Sequence, residues 1–425
     1  MAFALSRGCE EGTVFASPTA PLPVAGATTL SPPGRGAPRR GAASSLRRKP
    51  MSRIAGKPSV LMIAGGGTGG HIYPAIAIAQ EFMARDSSRK VIFVGTAYGL
   101  ESKIVPKAGF PLELVSVGGL KGKSLGQTIL NLFRLPLGFI QAWRVVGRHR
   151  PGVVLGVGGY SSGPVLAAAA LRRIPTVIHE ANAFPGLTNR ILARLVAEVL
   201  VAFPEALTRF GRAGKVTGNP VRKEFFDLKP GLRPPDFGMS GHVAGRKRLL
   251  IFGGSQGSRI LNDATTGALL FLAHMKDRIS IVHQTGPGEH EKVAKSYASS
   301  IFNDSRVVPY LDPMSEEIAA ADLVVCRAGA MTIGELAAVG RAAILIPFAM
   351  ATNNHQEINA RAVESAGGAV VITEKELSPE KLAGTISQIL GSPDRTETMG
   401  EGARTLAKPD ATKTIVDIVE SLERK

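Results

Sequence analysis

The chain is expected to be an α/β protein with two Rossmann-like domains facing each other across a cleft, and three observations predict this. Short apolar runs alternate with helical patterns after Lys57. One such run in each half ends in a cluster of glycines. The alternation pauses once, over residues 227–248, where Pro, Gly and basic residues dominate and a linker is expected. A chain of 425 residues is long enough for two ordinary cores, and 44% hydrophobic with 20% charged residues fits a globular protein.

The first domain, residues 58–226, opens with the apolar run Ser59–Ala64. A helical pattern follows over Pro74–Arg85, with the proline suited to a first helical turn, and then a strand at Lys90–Gly95. Strands are expected at Val153–Val157, Thr176–His179 and Val199–Ala202, with an Ala-rich helix over 164–172. The second domain, residues 249–410, starts with the strand Arg248–Phe252 and a helix reaching Leu270. Further strands fall at Ser280–His283, Arg306–Val308, Leu323–Cys326, Ala343–Ile346 and Ala369–Ile372. Residues 411–425 have helical spacing and are expected to pack at the domain junction.

Residues 1–57 read as an address. They hold nine Lys or Arg against two Glu, and no carboxylate occurs from Gly12 to Lys57. That composition buries too little apolar area to offset the entropy of ordering. It lacks the apolar core of a secretory signal, and being Ser- and Arg-rich and acid-poor it matches an organelle transit peptide. Its prolines and weak helical periodicity favour plastid over mitochondrion, and a basic tail that stays attached is the alternative. Cys9 and Cys326 stand far apart, so neither a disulfide framework nor a metal-ligand pattern is expected.

Gly65–His71, GGGTGGH, lies between a strand and a helix and satisfies G-x-G-x-x-G through Gly65, Gly67 and Gly70. A dinucleotide site needs an acidic residue about 20 positions on, yet the next strand ends Val94-Gly95-Thr96. A Walker A loop is excluded because His follows Gly70. Phosphate binding survives both exclusions: glycines let backbone approach a phosphate, and a helix N-terminus supplies N–H groups and positive potential. Gly254–Gly257 repeats the arrangement in the second half, and Gly156–Gly163 supplies a third loop. One such loop is as consistent with a tight turn as with a ligand site. Three of them suggest two phosphorylated ligands, one of them expected at Gly66, Gly67, Gly159, Tyr160 and Ser161.

His71, just past the first loop, and Glu180, just past a strand, are both candidate bases, and the residues alone leave the choice open. The competing structural roles are a backbone-satisfied histidine and a loop carboxylate paired with an arginine. No D-x-D occurs in the chain, so no metal and no tightly bound cofactor is expected, and helix dipoles with Arg222 are candidates to stabilise a leaving diphosphate.

Six motifs then carry a resemblance: AGGGTGGHIYPA at 64–75, GVGGYSSGP at 156–164, HEANAFPGLTN at 179–189, GNPVR at 218–222, GGSQGSRILN at 253–262 and CRAGAMTIGE at 326–335. In this order the chain resembles the MurG family of N-acetylglucosaminyltransferases over residues 58–425. The resemblance implies a GT-B fold and an inverting reaction. GlcNAc would pass from UDP-GlcNAc to the C4 hydroxyl of MurNAc in a polyprenyl-diphosphate-linked muramyl-pentapeptide. It also implies donor contacts at Thr68, Gly69, Gly70, Asn182, Arg222, Ser255 and Leu311, at Ala330, Met331, Thr332, Ile333, Gly334 and Glu335, and at Gln356. Leu311 stands where the family often has Ile, and Ala181 where Gln is common. Glu335 suits its place because a carboxylate accepts both ribose hydroxyls. The alternatives are a plastid galactosyl-diacylglycerol synthase of the same fold and a non-catalytic UDP-sugar-binding protein.

The net charge of +17 extends beyond the leader: residues 114–179 contain no carboxylate but include Lys121, Lys123, Arg134, Arg144, Arg148, Arg150, Arg172 and Arg173. Leu130, Leu132, Phe133, Leu135, Leu137, Phe139, Ile140 and Trp143 lie among them. An ordinary core helix with a basic edge would give this pattern, and so would a patch over 121–150 that meets an anionic membrane surface. Nucleic acid is not an expected partner, since no recognition motif accompanies the charge.

Overall fold

A computed structural model describes residues 59–67, 69–118, 125–228, 245–392 and 394–423, with backbone alone for 125–135 and 352. The expected leader, Thr68, Lys121, Lys123 and most of the expected linker lie outside the described residues, as do the side chains of Leu130, Leu132, Phe133, Arg134 and Leu135.

Both domains are parallel sheets. The first has strands β1 (Val60–Gly65), β2 (Lys90–Gly95), β3 (Leu112–Leu114), β4 (Val153–Gly158), β5 (Thr176–Glu180), β6 (Glu198–Val201) and β7 (Lys215–Val216), ordered β3-β2-β1-β4-β5-β6-β7. The second has β8 (Lys247–Phe252), β9 (Ile279–Gln284), β10 (Arg306–Val308), β11 (Leu323–Cys326), β12 (Ala343–Leu345) and β13 (Ala369–Val371), ordered β10-β9-β8-β11-β12-β13. Helices cover both faces, so central strands such as β1, β4 and β8 are buried throughout or nearly so. This is why they read as continuous apolar runs and not as alternating ones. In each sheet the strand order reverses beside the first strand, and a ligand crevice forms outside the strand ends at such a point. The loops after β1 and β8 are two of the three glycine loops expected to meet phosphate; the third follows β4.

The structure departs from the sequence expectation in three respects. The first helix spans Gly69–Ala84, starting five residues before Pro74. Pro74 therefore sits past the first turn, where it deprives the Gly70 carbonyl of its helical donor. This start places His71 within the first turn, at the positive end of the helix. Strands β3 and β7 are additional, and both are short outer strands. The C-terminal helix, Ala411–Glu423, does not straddle the junction: Ile415, Val416, Val419 and Leu422 join Leu61, Ile63 and Ile78 in the first domain's core. Arg85 and Arg89 hold it there through Asp417 at 2.6 Å and Glu420 at 2.7 Å.

Candidate active site

The first and third glycine loops form one structure. The Gly66 N–H donates to the Gly158 carbonyl at 3.2 Å, and Ser162 Oγ bridges the Ala64 and Gly158 carbonyls. His71 Nδ1 lies 3.1 Å from the Gly66 carbonyl oxygen. A carbonyl can only accept, so in the neutral ring the proton is on Nδ1 and Nε2 carries the lone pair. The imidazole packs against Gly158, where a Cβ would stand 2.9 Å from Nε2. Gly159 backs onto Gly66, Tyr160 is half exposed, and Ser161 is buried with its hydroxyl unpartnered. Gly69 and Gly70 form the start of the His71 helix.

Glu180, the other candidate base, is almost fully buried at the end of β5. One carboxylate oxygen accepts from the backbone N–H and Nδ2 of Asn182, at 3.0 and 3.1 Å. The other accepts from the Gly186 N–H and Asn189 Nδ2, at 3.0 and 2.9 Å. Four donors occupy the carboxylate, and together they fix the HEANAFPGLTN loop. Neighbouring His179 is fully buried, and burial lowers its pKa; its Nε2 donates to the Gly218 carbonyl.

Across the cleft, the helix Ala330–Val339 starts beside the first domain. Asn219 Nδ2 donates to the carbonyls of both Ala181 and Ala330 at 3.2 Å, which ties the GNPVR turn to that helix start. Met331 and Ile333 are buried and Thr332 is partly exposed, while Gly334 packs on Val221, where a Cβ would stand 2.9 Å from the valine side chain. Arg222 approaches Glu335 at 3.7 Å and also lies over the Tyr73 ring, so the His71 helix, the GNPVR turn and the Ala330 helix converge. Burial raises the Glu335 pKa and the Arg222 charge lowers it, leaving it at about 7. Asn182 is set between Glu180 and Asn359, whose Nδ2 lies 3.3 Å from Asn182 Oδ1.

The remaining expected donor residues sit on separate supports. Leu311 is buried, Ser255 is exposed on the loop after β8, and Gln356 Oε1 accepts from the Phe348 N–H. Three contributors escaped the sequence reading. Arg327 lies inside CRAGAMTIGE and binds Ser258 Oγ, which caps the helix after the second glycine loop. Asn359 also accepts from the Ala183 N–H, making it a bridge between domains. Glu101 accepts from Gly67 in the first loop, and nothing local in the sequence marks it. Among the described residues, no cluster of three or more His, Cys, Asp or Glu is placed to hold a metal ion.

Two parallel α/β domains, glycine loops at both strand-order reversals and a carboxylate–arginine pair between them define a two-domain glycosyltransferase of GT-B fold. The Glycosyltransferase family 28 N-terminal domain matches residues 61–201, and the family's C-terminal domain matches residues 248–415. Among curated relatives, the UDP-N-acetylglucosamine--N-acetylmuramyl-(pentapeptide) pyrophosphoryl-undecaprenol N-acetylglucosamine transferase of Anaeromyxobacter sp. (strain K) is 48% identical over 367 residues, 86% of this chain and 93% of that protein. The enzyme of the same description from Myxococcus xanthus (strain DK1622) is 46% identical, over 85% of this chain and 92% of that one. The crystal structure of Acinetobacter baumannii MurG superposes with a TM-score of 0.70 at 29% identity, over 86% of this chain and 100% of the other. The chain belongs to the MurG family.

Proposed function

We propose that the protein transfers GlcNAc from UDP-GlcNAc to the C4 hydroxyl of MurNAc in a polyprenyl-diphosphate-linked muramyl-pentapeptide. The observation that carries this reading is the convergence of His71, the paired glycine loops and the Arg222–Glu335 group, in a chain that shares 48% identity with transferases of that description. His71 Nε2 takes the proton of the acceptor hydroxyl as its oxygen attacks the anomeric carbon, and UDP leaves from the opposite face with inversion. Arg222 and the N-terminus of the Ala330–Val339 helix supply positive potential for the leaving diphosphate. Glu335 accepts the ribose hydroxyls. Glu180 orders the loop that carries Asn182 and does not act as the base, because its lone pairs already serve four donors. The test is to supply UDP-GlcNAc with a lipid-diphosphate muramyl acceptor or with diacylglycerol. UDP and a β-1,4 disaccharide lipid from the first acceptor alone are expected, and transfer to diacylglycerol would overturn the reading.

The acceptor's lipid puts the reaction at a membrane surface, and the helix Leu125–His149 offers the contact. Ala142, Val145 and Val146 are buried, while Leu137, Ile140, Trp143, Arg144 and Arg148 face solvent. Arg172 stacks on Trp143 at 4.0 Å, and a cavity of about 600 Å³ beside it is lined by Arg144, Arg148, Arg150 and Arg172. Apolar groups beside arginines suit an anionic interface. No helix among the described residues is long and apolar enough to cross a membrane. We further propose that residues 1–57 direct the chain to the plastid, to work on the stromal face of the inner envelope; their acid-poor, Arg- and Ser-rich composition supports this. Import into isolated chloroplasts with loss of the leader is expected, and import by mitochondria alone would contradict it.

A further inference from the structure

The Gly66–Gly67 peptide unit is held from both ends. Its carbonyl accepts from His71 Nδ1 at 3.1 Å, and its N–H donates to Glu101 Oε2 at 2.7 Å. Glu101 opens the helix Glu101–Lys107 and is 2% exposed; its Oε1 accepts from the N–H and hydroxyl of Thr96, at 2.9 and 2.8 Å. The carboxylate lies in a cradle built for it. A Cβ on Gly66 would stand 2.3 Å from its carboxyl carbon, and one on Gly99 would stand 2.0 Å from Oε2. Part of the glycine-rich character of the first loop is thus explained by a carboxylate beneath it, independently of any phosphate above. Burial pulls the Glu101 pKa upward, but the donors from Gly67 and Thr96 outweigh it and hold it below the usual carboxylate range. The group is therefore an anion at neutral pH.

From this geometry we infer that Glu101 is the positioning residue of His71, acting through the Gly66–Gly67 peptide. An anion accepting from an amide N–H polarises that amide and makes its carbonyl a stronger acceptor. The carbonyl then holds the proton on Nδ1, and Nε2 is kept as the proton acceptor. The chain carboxylate, peptide, imidazole does what a direct carboxylate–histidine contact does in other enzymes, with one peptide unit inserted. The inference rests on the reading of His71 as the base. Its experiment therefore measures donor affinity and ring tautomer beside turnover.

In the full-length protein, Glu101→Gln is expected to lower kcat about tenfold or more. It should move the acid limb of the kcat–pH profile and leave the UDP-GlcNAc Kd within about twofold. In a His71→Ala background the same change is expected to cost nothing further, because the two residues act as one unit. A purely structural role would reduce both backgrounds alike. Since Glu101→Gln could also weaken the fold, the wild-type protein supplies an independent measurement. Ring ¹⁵N resonances, assigned to His71 by their loss in His71→Ala, should report the Nδ1–H tautomer. An Nε2–H tautomer overturns the inference, and so does full kcat with an unmoved pH profile in Glu101→Gln, or losses that multiply across the two sites. Wild-type protein that binds donor and shows the Nδ1–H tautomer, yet never transfers to the muramyl acceptor, would sink the proposed function and leave the Glu101 geometry standing.

Discussion

Glu180 and Glu335 stand in different domains on either side of the same cleft, and their surroundings give them opposite roles. Glu180 has four N–H donors on its two oxygens and closes a loop upon itself. Glu335 is approached by Arg222 at 3.7 Å and feels the like charge of Glu224, and its pKa is raised to about 7, chiefly by burial. A buried carboxylate with every lone pair engaged is part of the scaffold. One held near neutrality with unused acceptor capacity is prepared for a ligand that brings its own donors. Sequence position does not separate the two, because both follow glycine- or strand-rich motifs. The number of donors does.

The largest effect should come from Glu180→Ala, which strands four donors in a nearly closed site. A loss of about 3 kcal/mol or more in unfolding free energy is expected. Denaturant melts check this, and an unchanged midpoint would mean that the loop is ordered by something else. Next, Glu335→Ala should weaken UDP-GlcNAc binding by roughly 10- to 100-fold, since hydrogen bonds to a charged group are worth about 1.5–3 kcal/mol, with little change in melting. Calorimetric Kd values test this half of the contrast.

A smaller effect concerns pH. Below about 7 the free protein holds Glu335 protonated, and donor hydroxyls favour the ionised form. Binding below pH 7 should therefore release a proton. Affinity should rise by at most about tenfold per pH unit as pH increases towards 7, then level off. Titration in buffers of different ionisation enthalpy reads the proton directly, and a flat affinity from pH 6 to 8 without proton release would remove Glu335 from the ribose. The smallest effect is expected far from both carboxylates. Leu137→Glu with Ile140→Glu should reduce binding to anionic vesicles several-fold and leave turnover of a water-soluble acceptor analogue unchanged. Equal vesicle binding would move the membrane face elsewhere.

How much of this was legible in the sequence follows from where each feature gets its stability. The buried parallel strands β1, β4 and β11 are apolar from end to end, and β8 is so from Leu249 onward; their two-sided burial writes them into the chain. β3 and β7 lie at sheet edges with exposed residues such as Leu114 and Val216, and two or three such residues make no pattern. The helical spacing of residues 411–423 was visible, but its partner was not, because the contacts with Arg85 and Arg89 span more than 300 residues of chain. The motifs located His71, Arg222 and Glu335. They gave no means of counting the donors around Glu180, and they hid Glu101, whose contact with Gly67 crosses 34 positions and lies outside any motif. The first helix starts ahead of Pro74, a residue that suits a first turn, and Gly69 and Gly70 are poor helix formers, so no local signal marks its true start.

The most direct test of the account sets His71→Ala beside Glu180→Gln in single-turnover transfer from saturating UDP-GlcNAc to a saturating muramyl-diphosphate lipid. His71→Ala is expected to slow transfer by about 10²-fold or more with donor Kd unchanged, while Glu180→Gln loses stability first and keeps most of its rate wherever it remains folded. A His71→Ala protein that transfers at the wild-type rate, with a folded Glu180→Gln protein that does not, would contradict it.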